Sequence, residues 1–253
     1  MNKNIRKLLG GVAVAMLVSA CGGGGGGAPV AAATANPLAG VWGGTSTSGE
    51  IVIALILEDG QLLSANVAPA SNSVVVNSLA FGTLQTSGNS VSSSDMRVYT
   101  PTGTAAATLA GTYKIGSSVS AAISQTGATA TILLAPVSVA SYDYNIPATQ
   151  TAATGAWTGS FNNGTGSVVV NSNGTFSATT GLGCNMSGLL RPRDGGKNVY
   201  DVTVNFDSVQ CGVSVGSATG NAVIDVPSAG TRELVILFRT TDGAGAGIFT
   251  VYQ

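Results

Sequence analysis

A five-residue pattern occurs twice in this chain and contains both of its tryptophans. Gly40-Val41-Trp42-Gly43-Gly44 returns as Gly155-Ala156-Trp157-Thr158-Gly159. The parallel runs on downstream: Ile51 to Leu57, a turn at Asp59-Gly60 and then Leu62 to Val67 match Ser167 to Val170, a turn at Asn173-Gly174 and then Thr175 to Ala178. Trp42 stands 18 positions before Gly60 and Trp157 stands 17 before Gly174, so the register holds with one gap. A repeat of this length constrains the fold more than any single motif, because each copy must be one structural unit, here of about 100 residues.

The composition decides what kind of unit. Charged residues make up 8% of the chain, glycine alone supplies 36 positions, and Ser, Thr, Val and Ala far outnumber the helix-favouring Glu, Lys, Arg and Gln. That usage suits short strands and tight turns. A mean hydropathy of +0.37 argues for a packed core instead of disorder. In the second copy, Tyr200, Val202, Val204 and Phe206 alternate with Asp201, Thr203 and Asn205, the period of a half-buried antiparallel strand. Further strands are expected near 155 to 162, 166 to 171, 175 to 180, 184 to 191, 215 to 225, 232 to 240 and 247 to 252. Asn173-Gly174 suits the centre of a type I′ hairpin. The expected fold is all-β: two tandem antiparallel barrels or sandwiches of about eight strands each, at 38–141 and 155–253, joined by a linker at 142–154. Ile51 to Leu57 and Leu234 to Phe238 are apolar on both faces and are expected where one unit packs on the other. Trp42 and Trp157 are expected to plug the base of each barrel, with glycines giving the indole room.

The N-terminus reads as an address. Lys3, Arg6 and Lys7 precede an apolar run from Leu8 to Ala20 that is too short to span a bilayer as a helix. Residues 1–20 therefore read as a cleaved secretory signal. Val18-Ser19-Ala20-Cys21 resembles a bacterial lipobox, which implies lipid on the Cys21 thiol and cleavage before it. The glycine run from Gly22 to Gly27, within 21–37, reads as a tether. The same resemblance, with Gly22 after the cysteine, implies sorting to the outer membrane, held there by the lipid. Without the leader the chain has seven basic residues against eleven acidic ones, so nothing steers it to nucleic acid. A membrane-spanning barrel is not expected, since fourteen aromatics form no girdles.

Cys184 and Cys211 remain, with 26 residues between them, in a compartment that permits oxidation; they are expected to form a disulfide. The chain has no histidine, which removes the commonest general base and the Ser-His and Cys-His nucleophile arrangements. Two cysteines alone do not make a zinc site. No metal, cofactor or catalytic residue is assigned. A glycosidase needs two carboxylates, and Glu50, Glu58, Asp143, Asp201 and Glu233 are among the eleven present, but spacing does not show whether any two face each other across a cleft, and most read as surface charges. The densest polar cluster, residues 191–198, offers Arg191, Arg193 and Lys197 as contacts for an acidic ligand or a protein, or else forms a solvated hairpin loop.

Taken together, the lipobox with its glycine tether, the paired Gly-x-Trp openings, Glu58-Asp59-Gly60-Gln61 and the segment from Cys184 through Arg191-Pro192-Arg193 to Tyr200-Asp201-Val202 resemble uncharacterised two-unit lipoproteins of Burkholderia-like proteobacteria. That resemblance covers nearly the whole chain and implies architecture and address, not an activity. The Gly-x-Trp opening is also similar to the start of a lipocalin, although the later lipocalin motifs are absent. The functional expectation is a non-catalytic surface binding module for a protein or small-molecule ligand that the sequence does not name. The alternatives are a structural envelope lipoprotein facing the periplasm and a carrier of a small apolar ligand, which needs an open barrel.

Overall fold

The computed structural model describes residues 35–68, 75–138, 141–161, 164–211, 213, 216–228 and 230–253. The leader, Cys21 and the tether up to residue 34 lie outside the described residues. Residues 35–253 form one compact body, built from two closed eight-stranded antiparallel barrels in tandem.

The first barrel comprises β1 (Gly40–Ser46), β2 (Ile51–Ile56), β3 (Gln61–Ala68), β4 (Val75–Thr83), β5 (Gln85–Ser87), β6 (Ser90–Thr100), β7 (Gly103–Lys114), β8 (Ser118–Gln125) and β9 (Ala128–Pro136). Its sheet runs β4-β3-β2-β1-β9-β8-β7-β6 and closes where β4 pairs with β6, Leu79 opposite Tyr99 and Phe81 opposite Arg97. The short β5 pairs with β6 alone. After a four-residue helix α1 (Gln150–Ala153), the second barrel runs in sequence order through β10 (Gly155–Phe161), β11 (Gly164–Val170), β12 (Thr175–Thr180), β13 (Asn185–Pro192), β14 (Tyr200–Phe206), β15 (Gly216–Ser228), β16 (Thr231–Thr240) and β17 (Ala246–Tyr252). It closes by pairing β10 with β17. These second-barrel strands match the sequence expectation to within a few residues at every end.

The repeated Gly-x-Trp-x-Gly is a barrel-starting device with a separate task for each residue. Gly40 and Gly155 take φ of +142° and +135°, a backbone conformation that disfavours any side chain. Trp42 and Trp157 then point inward and are buried, and each indole N–H donates to the carbonyl four residues earlier, Leu38 at 2.7 Å and Ala153 at 2.9 Å. The final glycines sit where the last strand of each barrel crosses the first. A Cβ on Gly44 would lie 1.8 Å from the Leu133 carbonyl oxygen, and one on Gly159 would lie 2.3 Å from that of Thr250. The glycines thus serve barrel entrance and barrel closure, not the indole.

Both repeat turns also share one geometry. Gly60 N–H donates to Leu57 O and Gly174 N–H to Asn171 O, each at 2.9 Å, with φ near +85° at both glycines. Three residues close each hairpin, a turn followed by a glycine in the left-handed region. The expected two-residue type I′ turn is therefore replaced: Asn173 precedes the glycine and its Oδ1 accepts from the Thr175 N–H and hydroxyl.

Both interiors are filled with side chains. In the second barrel, Phe161, Phe206, Phe238 and Phe249 stack with ring centroids 4.7 to 5.4 Å apart above Trp157. At the end opposite that tryptophan, Cys184 and Cys211 form the expected disulfide. The first barrel encloses an aliphatic cavity of about 20 Å³ between Val52, Leu109, Ile132 and their neighbours, room for about one water. An apolar ligand of carrier size has no chamber there.

Candidate functional site

A third apolar core joins the barrels. The outer faces of β3, β4 and β6 contribute Leu63, Ala65, Leu79, Phe81 and Tyr99, and these pack with Leu57, Tyr144 and Val199 and against Val223, Leu237 and Ala246 of the second barrel. Strands usually bury one face, but these bury both, and this is why Ala80 and Phe81, or Val98 and Tyr99, are buried side by side in sequence. The expectation for the doubly apolar strands holds for Leu55, Leu57 and Leu237; Ile51 and Ile53 remain 42% and 50% exposed. Val199, adjacent to the alternating strand, is fully buried in the joint.

The linker is fastened into this joint. Tyr144 donates to Glu58 Oε1 at 2.8 Å, Tyr142 donates to Asn198 O at 2.7 Å, and Asn198 N–H donates to Tyr144 O at 2.9 Å. Burial pushes both phenols well above the usual tyrosine range, and the hydrogen bond to Glu58 adds to the effect at Tyr144. Arg193 bridges the barrels, with Nη2 to Asp59 Oδ2 at 2.6 Å and Nη1 to Asp201 Oδ1 at 2.7 Å. Lys197 donates to Asn145 Oδ1 at 3.0 Å and lies over the Tyr144 ring. Arg191 is exposed and pairs in register with Asp201. The structure therefore gathers Arg191, Arg193 and Lys197 at one end of the joint, and Arg193 and Lys197 hold the linker and the first barrel.

Beyond the joint the barrels diverge and leave a groove of about 1130 Å³. One wall is the start of β4, the end of β6 and the turn at Thr100 to Gly103; the other is the outer face of β17 with Ser160, Phe161 and Glu233. Among the described residues that line it there is no Lys or Arg, and the carboxylate is that of Glu233. Burial raises the Glu233 pKa, the hydrogen bond from Tyr252 opposes that, and Asp225, its cross-strand partner, raises it further. Tyr252 holds Glu233 at 3.2 Å and keeps its ring 44% exposed.

Tyr99 is the unusual group on this wall. The residue is 5% exposed, its ring meets Phe81 edge-on, and its hydroxyl is buried with no hydrogen-bond partner among the described residues. Burial raises its pKa, opposed by the charges of Arg239 and Arg97. A buried hydroxyl without a partner costs about 1–3 kcal/mol, and a phenylalanine would fill the same space without that cost.

The other carboxylates considered from sequence have structural partners. Glu50 accepts from Ser48 and Asn77, Glu58 from Tyr144, Asp143 from the Asn145 N–H, and Asp201 from Arg193 and Asn221. Tyr99 and Tyr252 were invisible to motif reading, since the groove arises from pairings between distant strands.

No protein-family model matches the chain. No curated protein matches it either. Among solved structures, it is similar to a protein of unknown function of the DUF3598 family from Nostoc punctiforme, at 10% identity, covering 85% of this chain and 95% of that one, with a TM-score of 0.21.

Proposed function

We propose that this chain is a lipid-anchored envelope protein whose two-barrel body is a non-catalytic binding module, and that it binds in the groove between the barrels. The observation that carries the reading is the groove itself. Two barrels with filled interiors are fixed to one another by a third core, a linker and an ion pair, and the rigid arrangement maintains a concave surface of ligand size. The Val18-Ser19-Ala20-Cys21 lipobox and the glycine tether support attachment to the membrane through Cys21, and the resemblance to two-unit proteobacterial lipoproteins supports the outer membrane as its address. A chain without histidine, whose acidic groups serve turns and junctions, supports binding over catalysis.

A photo-crosslinking amino acid at Thr102 on the groove rim, compared with one at exposed Thr126 on the β8–β9 turn, tests the site in living cells. A discrete mass shift from position 102 and none from 126 is expected. Equal labelling, or none at either position, would remove the groove as the binding site. Protease accessibility on intact cells tests the outward orientation, and protection until the outer membrane is permeabilised would place the module in the periplasm.

A further inference from the structure

We infer that the outer face of β2, β1 and β9 is a lipid-docking face, on which the first barrel rests against the membrane that holds the chain. The inference rests on the reading of the chain as lipid-anchored through Cys21.

Three rows of side chains cross these strands on the outside of the barrel. Register places Ile51, Thr45 and Leu133 in one row and Ile53, Gly43 and Ala135 in the next. Leu55 and Val41 form the third, where the Val137 N–H donates to Val41 O at 2.9 Å. Val137 reaches back over Gly43, so that a Cβ there would lie 2.6 Å from its Cγ2. The rows continue onto β3 as Val67, Ala65 and Leu63, and the joint with the second barrel buries Ala65 and Leu63. Beyond β3 that cover stops: Ile51, Ile53, Leu133 and Val137 are 41% to 60% exposed. A contiguous apolar face on an outer wall marks an interaction surface.

The repeat shows that the fold does not require this face. With the two tryptophans matched, Ile51, Ile53 and Leu133 correspond to Thr165, Ser167 and Thr250 of the second barrel. The same wall stands there with hydroxyls in place of aliphatic groups.

Two observations select a lipid surface as the occupant. The joint, where this chain packs protein on protein, contains Phe81, Tyr99 and Tyr144, and aromatic anchors of that kind concentrate the energy of protein interfaces. Among the outward side chains of β2, β1 and β9 there is no aromatic and no charged group. Aliphatic side chains alone suit the boundary between headgroups and acyl chains. The second observation is position. The chain enters the described body at Ala35, six positions before Val41. The 14 positions from Cys21 to Ala35 reach at most roughly 50 Å. A body tethered so closely meets the bilayer at high effective concentration, and weak insertion then suffices. The pose also leaves the groove free, because β6, which forms part of its wall, stands four strands from β1 in either direction around the closed ring.

The experiment uses the full chain as the cell processes it, reconstituted in phosphatidylethanolamine and phosphatidylglycerol vesicles with brominated acyl chains. Leu133→Trp and Ile53→Trp report from the face, and Thr108→Trp reports from the exposed side of β7, three strands away. The added fluorescence at positions 133 and 53 should be quenched roughly twofold or more, in high salt as in low, while that at 108 is not. Ile51→Thr with Ile53→Ser, the hydroxyls that the second barrel carries there, should bring the quenching of Leu133→Trp down to the level of Thr108→Trp. Equal quenching at all three positions, or none, in a chain that stays with the vesicles would overturn the docking face and leave the anchor standing. Quenching of Leu133→Trp that survives Ile51→Thr with Ile53→Ser would also overturn it, since the new tryptophan would then be inserting by itself. A chain that sediments as a dimer, with Leu133→Trp blue-shifted but unquenched, would assign the face to a second copy and overturn the lipid. A chain that leaves the vesicle fraction and carries no acyl mass on Cys21 would overturn the anchored reading, and this inference with it.

Discussion

Arg193 in the second barrel and Asp59 in the first, 134 positions apart, meet through Nη2 and Oδ2 at 2.6 Å. The pair sits beside Asp201, and Arg193 is the more enclosed member, 18% exposed against 55% for Asp59. Because both carboxylates face solvent, each contact contributes little, about 1 kcal/mol or less. Arg193→Met should therefore lower stability by about 1 kcal/mol in low salt, with the loss shrinking as salt rises. A double-mutant cycle with Asp59→Asn, followed by denaturant unfolding, measures the coupling; a coupling of zero in low salt would mean that the pair does not fasten the barrels.

The same joint makes a claim about cooperativity. Each barrel holds one tryptophan, so Trp42→Phe leaves Trp157 as the reporter of the second barrel, and Trp157→Phe leaves Trp42 as the reporter of the first. With Leu63, Phe81 and Tyr99 buried against Leu237 and Val223, neither barrel can unfold without exposing the shared core. In either variant, fluorescence and circular dichroism should give one coincident transition. Separated midpoints within a single variant would show the barrels to be independent.

Much of this architecture is legible in the sequence because the repeat and the period-two pattern are local. Tyr200, Val202, Val204 and Phe206 alternate as a strand must, and Cys184 and Cys211 are the pair left once Cys21 is assigned to the lipid. The joint is less legible. Val98-Tyr99 and Ala80-Phe81 are runs of adjacent apolar residues, and only the pairing of β4 with β6 shows that one member of each faces a second barrel. Arg193 and Lys197 have the composition of a ligand loop, and the partners that occupy them, Asp59 and Asn145, lie far away in the chain. The buried Tyr99 hydroxyl leaves no mark in the sequence, since whether a buried group finds a partner is decided only in three dimensions.

The disulfide at the end of the second barrel opposite Trp157 closes a loop of 27 residues. In the loop-entropy account, its loss costs roughly 3–4 kcal/mol. Cys184→Ala with Cys211→Ala should lower the unfolding free energy by that amount. Reducing agent should shift the wild-type midpoint toward that of the variant and leave the variant itself unmoved. A loss below about 1 kcal/mol would mean that the unfolded chain is already constrained.

Gly159→Ala and Gly44→Ala test the closure of the barrels. The added Cβ meets a backbone carbonyl oxygen at 2.3 Å in one and 1.8 Å in the other, so β10 must part from β17, or β1 from β9. Each should cost about 3 kcal/mol. Gly181→Ala, whose Cβ would find its nearest neighbour at 3.6 Å, should stay within about 0.5 kcal/mol of wild type. Equal effects from all three would place the cost in glycine's flexibility and not in the strand crossing.

Alkaline pH should act through the buried tyrosines. Burial raises the pKa of Tyr142 and Tyr144, and that of Tyr200 up to about 12, against an unfolded value near 10.0. A phenol whose pKa is higher in the folded state retains its proton there after the unfolded chain has released it. Above pH 10 the unfolded state therefore binds fewer protons, and stability falls with rising pH until the folded groups ionise as well. The stabilising effect is complete below pH 10 and is lost as pH climbs through about 12 for Tyr200. The urea midpoint should stay flat from pH 7 to 9 and decline beyond 10, and most phenolate absorbance should appear together with unfolding. Tyr200→Phe, which also removes the 2.8 Å bond to Thr149 O, should lower the neutral midpoint and flatten the alkaline decline. Phenolate absorbance from all six tyrosines in a chain that is still folded would contradict the burial on which the prediction rests.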